Sequence, residues 1–161
     1  MLRPLLFALA CLLPLPAAAQ DVGAATRALS AMWRPIAGAA TLEAACAGAI
    51  QEMDALEAAL PPVLTPESLE RVRALRGILV VPTEAPDLVY FFPDMTMPWF
   101  ASGIGVVAVV DEAEGFLGVR DAGGNDIALQ LGTGDGHPLL RVRTPQGQVL
   151  NFVGCASTAG A

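Results

Sequence analysis

Apolar positions follow one period up to about residue 77 and another beyond it. In the first stretch Leu42, Cys46, Ala49, Met53, Leu56 and Leu60 recur at alternating steps of four and three, the spacing that lines one face of an α-helix. Thr41 stands at the N-cap position, Glu43 favours the first turn, and Pro61-Pro62 end the run. Another helix is predicted with Thr65 as cap, Pro66 at its first position, Gly77 after its end, and Leu69, Val72 and Leu75 facing inward. Upstream, Asp21 to about Trp33 reads as a short helix stopped by Pro35, followed by a small-residue connection over Ile36 to Ala40.

Beyond Gly77 the runs Ile78 to Val81, Leu88 to Phe92, Ile104 to Val110, Phe116 to Arg120, Asp126 to Leu131, Leu139 to Arg143 and Val149 to Val153 are short and bounded by turn residues. Most connections are too short for helical crossovers, which predicts antiparallel pairing in a meander. The expected fold class is α+β: about three N-terminal helices, over residues 21–77, packed on a C-terminal antiparallel sheet over 78–155, as one domain spanning 20–161.

The first 19 residues change the picture of where this domain works. Arg3 precedes the apolar run Leu5 to Leu13, and Pro14 and Pro16 lead into Ala17-Ala18-Ala19, the order of a secretory signal peptide cut before Gln20. The run is too short to span a bilayer, and Cys11 lies inside it rather than at a lipidation boundary. The expected location is therefore periplasmic or secreted, with no membrane span after cleavage. Two cysteines remain, Cys46 and Cys155, and an oxidising compartment predicts a disulfide between them.

Sixteen acidic residues stand against nine basic ones, of which Arg3 leaves with the signal, so the mature chain carries a net charge of −8. That sign opposes nucleic-acid binding through phosphates. The absence of lysine excludes Schiff-base, pyridoxal-phosphate and Walker-loop chemistry.

Five of the eight mature aromatic residues fall within Tyr90 to Phe100, around a Pro93 to Pro98 loop carrying two methionines. Met95, Met97, Trp99 and Phe100 are the candidate binding anchors there, as adaptable apolar side chains suited to a partner surface; the competing reading places them in the core. Met95 and Met97 are also soft ligands for copper(I), with His137 as the natural third ligand. A nucleophile would need His137, the single histidine, as its base, with Ser30, Ser68, Ser102 or Ser157 attacking; Ser102 lies beside the aromatic loop but lacks a G-x-S-x-G setting. Asp111, Glu112 and Glu114 read as a solvated turn, and the Asp/Gly stretches at 121–126 and 132–136 as hairpin turns without an EF-hand pattern. Arg71, Arg73 and Arg76 do not share one helical face, and Glu67 and Glu70 are spaced to pair with Arg71 and Arg73.

No catalytic motif, cofactor fingerprint or metal cluster stands out, so no cofactor is expected. The expectation is an exported, non-enzymatic binding or accessory domain acting on an unidentified protein or apolar ligand through loop 90–100. The alternatives are a small hydrolase using Ser102 or carboxylates, and a carrier of an apolar ligand between helix and sheet.

Overall fold

Asp21 accepts a hydrogen bond from the Gly23 amide at 2.9 Å and so starts α1 (Val22–Leu29), which ends at Ser30, far short of Trp33. In the computed structural model, which describes residues 21–59, 65–111 and 113–159, the chain turns there into a strand, β1 (Ala31–Pro35). The helical stretch that follows comprises α2 (Leu42–Cys46), α3 (Ala49–Ala59) and α4 (Pro66–Arg73). Seven strands complete the order: β2 (Ile78–Pro82), β3 (Leu88–Pro93), β4 (Gly103–Asp111), β5 (Phe116–Arg120), β6 (Asp126–Gly134), β7 (His137–Arg143) and β8 (Val149–Ser157). The signal segment 1–19 and the Pro61-Pro62 stop lie outside the described residues.

Each strand pairs antiparallel with the next, and β8 returns to pair with β1, closing an eight-stranded barrel. This corrects the expected α+β class: the sheet has no open edges, and the element that overturns the expectation is β1. Met32 pairs with Leu79 on one side and with Ala156 on the other, so backbone pairing on both edges overrides the weak strand propensity of Ala31, Met32 and Arg34. An unpaired β2 and β8 would otherwise leave two rows of backbone donors and acceptors open to other chains.

Alternate side chains of the strands point inward. Trp33, Val80, Val89, Phe91, Val107, Leu117, Val119, Ile127, Leu129, Leu140, Val142 and Phe152 are buried in one cluster that fills the barrel, as side chains can in a barrel of eight strands. The Trp33 indole N–H donates to the Leu29 carbonyl at 2.7 Å, so the largest core side chain has no unmet polar group. Gly105 leaves the room that the Phe91 ring occupies, since a Cβ there would come within 2.7 Å of it.

Both ends of the barrel are stoppered. Leu29 and Ala25 of α1 pack onto the core at the end where β1, β3, β5 and β7 begin. At the opposite end the 94–102 loop folds inward with Met97 and Phe100, the Phe91 and Phe100 ring centroids lying 5.1 Å apart. Two carboxylates hold this loop down. Asp94 Oδ2 accepts the Gly77 amide at 2.6 Å, and Asp121 Oδ2 accepts the Ala101 amide at 2.7 Å.

A second apolar cluster joins the helices to the outside of the barrel: Ala49, Leu56 and Val72 cover Met32, Leu79 and Phe92. Helix residues Leu42 to Leu56 do not form one continuous rod, because the chain breaks at Ala47-Gly48, where Gly48 has φ 78°. The Cys46–Cys155 disulfide is formed and ties the end of α2 to β8. Beneath the helices Arg34 donates to the Arg76 carbonyl at 3.0 Å and pairs with Glu52.

Asp121 is the most heavily hydrogen-bonded carboxylate among the described residues. Burial raises its pKa, but the Asn125 side chain and the Ala101, Asn125 and Gly123 amides outweigh burial and hold it below the ordinary aspartate value. A depressed folded-state pKa stabilises the protein above the unfolded value and is lost as pH falls through the folded one. Asp121→Asn should therefore cost about 2 to 3 kcal/mol at pH 7, with a smaller penalty at pH 3, below the ordinary aspartate value, where the unfolded chain takes up the proton and the charged native carboxylate loses part of its advantage. Chemical denaturation at the two pH values measures both; an equal penalty at each would contradict this account.

Candidate functional site

The four anchors expected in loop 90–100 meet different fates. Met97 and Phe100 are each 3% exposed and belong to the barrel core, Trp99 packs partly against it, and Met95 is 75% exposed. A depression of about 430 Å³ remains beside them, lined by Met95, Met97, Pro98, Phe100 and Ser102.

Ser102 immediately precedes β4, at the end closed by this loop, whereas His137 opens β7 at the end closed by α1. The strand topology thus places this pair at opposite mouths of the barrel, and it does the same for Met95 and His137. Among the described residues no group of three or more His, Cys, Asp or Glu side chains is arranged to hold a metal. Asp111 caps its own turn by accepting the Ala113 amide at 3.1 Å, and Asp121 spends its oxygens on protein donors. Arg71 pairs with Glu67 at 3.3 Å on an exposed helix face.

His137 instead borders a different feature. The β6–β7 hairpin turns through Asp135 and Gly136, both at positive φ, as a two-residue hairpin turn requires. That turn sets His137 and Thr133 opposite the C-terminal end of α1, and between them lies a cleft of about 800 Å³. Small apolar groups make its walls: Ala28 from α1, Ala31 from β1, Leu131 from β6, Pro138 from β7, and Gly154 and Ala156 from β8. Gly154 lets the Trp33 ring and Pro138 approach from either side, since a Cβ there would meet both at 3.2 Å. Cys155, crosslinked to Cys46, also lines the cleft, so the disulfide anchors one of its walls.

Polar groups sit at the rim. Arg27 lies in the last turn of α1, 3.9 Å from Asp21, and His137 Nε2 lies 3.5 Å from Glu43. The Glu43 carboxyl is held below its ordinary value by its own backbone amide, then by the Thr41 hydroxyl and His137. Ser30 and Ser157 also border the cleft, but the Ser30 hydroxyl is buried and donates to the Thr26 carbonyl at 2.7 Å, while the Ser157 hydroxyl accepts the Ala159 amide at 3.3 Å. The Ser30 hydroxyl thus serves the last turn of α1 and the Ser157 hydroxyl the turn after β8.

A further surface stands out on the barrel exterior. Of the seven large apolar side chains exposed among the described residues, Tyr90, Ile104, Val106 and Val110 lie on the outer face of β3 and β4, with Tyr90 directly opposite Ile104. No described helix is long and apolar enough to cross a membrane. Comparison with family models, curated proteins and solved structures finds no match to this chain.

Proposed function

We propose that this protein is an exported, non-enzymatic binding domain that takes a small apolar ligand in the cleft beside α1. The observation that carries the reading is the cleft itself: about 800 Å³, within the range of roughly 300 to 1,000 Å³ usual for ligand sites, mainly apolar, with a few polar groups at one rim. Among the described residues, buried core side chains fill the barrel interior. The disulfide suits an oxidising compartment, and the signal-like N-terminus supplies the route there. Loop 94–102 then serves as the stopper of the opposite end, with Met95 left outside.

Ala28 is exposed on α1 and lines the cleft, so Ala28→Trp fills the space from a position where substitutions cost within about 0.5 kcal/mol. The apolar dye N-phenyl-1-naphthylamine should brighten on binding the wild-type protein and fail to do so with Ala28→Trp at an unchanged thermal midpoint. Brightening that survives Ala28→Trp but disappears in Ile104→Ser/Val110→Ser would move binding to the β3–β4 face and overturn the reading.

A further inference from the structure

The charge of the cleft runs against the charge of the chain. The sequence holds sixteen acidic residues and nine arginines, yet Arg27 and His137 line the cleft and no described carboxylate does. We infer, on the strength of the binding reading above, that the ligand is an anionic amphiphile: an alkyl tail against Ala31, Leu131 and Pro138, and a carboxylate at the Arg27–His137 rim.

The neighbouring acids leave these donors available. Asp21 stands 3.9 Å from Arg27 with both side chains well exposed, and Glu43 stands 3.5 Å from His137 while itself 74% exposed. Such long, solvated pairs contribute little and yield readily to a better-placed anion. A carboxylate brought to the rim by its tail has that placement, since the apolar wall fixes where the head emerges and a guanidinium can bind both of its oxygens. A cationic head would meet the Arg27 guanidinium as a repulsion. A neutral head would gain only the tail.

Octanoate, 1-octanol and octyltrimethylammonium share a tail and differ in head charge, so calorimetric titration of the intact mature protein at pH 7 separates tail from head. Octanoate should bind roughly three- to tenfold more tightly than 1-octanol, and octyltrimethylammonium most weakly. Arg27→Gln/His137→Gln should remove the preference for octanoate, bringing the ratio of octanoate to 1-octanol affinity to about one. Equal binding of octanoate and 1-octanol, or a preference that survives the double substitution, overturns the anionic head and leaves the binding reading intact. Failure of all three to bind, or binding insensitive to Ala28→Trp, overturns the binding reading and this inference with it. Arg27→Gln alone, at a largely exposed side chain, keeps the comparison available if His137→Gln perturbs the fold.

Discussion

Removing the Cys46–Cys155 bond should cost about 4 to 5 kcal/mol of stability. The sequence separation of 109 residues makes this a long closed loop, and loop-closure entropy in the unfolded chain grows with loop length. The bond also has a local task. It joins the last residue of α2 to the outer side of β8, and the helical stretch otherwise meets the barrel through one modest apolar cluster around Met32, Leu79 and Phe92 and through the polar pairs Arg34–Glu52 and His137–Glu43. Cys46→Ala/Cys155→Ala should therefore shift the urea midpoint strongly and increase amide exchange in α2 and α3 more than in the strands. Protein from an oxidising compartment should show one bond and no alkylatable thiol by mass spectrometry. Two free thiols in the native protein, or a double variant as stable as the wild type, would refute the account.

The strands were legible where one face is buried and the other wet. The seven runs bounded by turn residues all fall within observed strands, whereas β4 is apolar on both its buried and its exposed face and is marked only by its bounding turns. β1 was not legible, for a physical reason. Ala31, Met32, Trp33 and Arg34 are all buried because the core covers one face and the helices the other, so no alternation appears. Its identity as a strand comes from pairing with Leu79 and Ala156, far away in sequence. Missing it meant missing closure of the barrel, and with it the fold class.

The cleft left still less trace. Ala28, Ala31, Gly154 and Ala156 are chosen for smallness, and small residues carry no motif; they form a wall only because β1, β8 and α1 converge at one mouth of a closed barrel. The hairpin turn before His137 could be read from Asp135-Gly136, but what His137 would face could not. The clustering of five aromatic residues within 90–100 is plain in the sequence. Which side of the loop those groups face depends on the barrel mouth beneath it, a feature that does not exist until β1 closes the sheet.

That loop gives the second large effect. Met97 and Phe100 close the end of the barrel, and Phe100 packs against Phe91 at 5.1 Å between ring centroids. Phe100→Ala should cost about 3 to 5 kcal/mol and Met97→Ser about 2 to 5, through lost burial and the cavity left at the barrel mouth. For a domain of this size the thermal midpoint should fall by roughly 10 °C or more in Phe100→Ala. Met95→Ser should behave differently, since the side chain is 75% exposed, and stay within about 0.5 kcal/mol of wild type. Thermal unfolding followed by circular dichroism distinguishes the cases. If Met97 and Phe100 could be replaced as cheaply as Met95, the loop would be a free tip rather than a stopper. Asp94 and Asp121 would then be holding down a segment that the core does not need, and loop 90–100 would again compete with the α1 cleft as the binding surface.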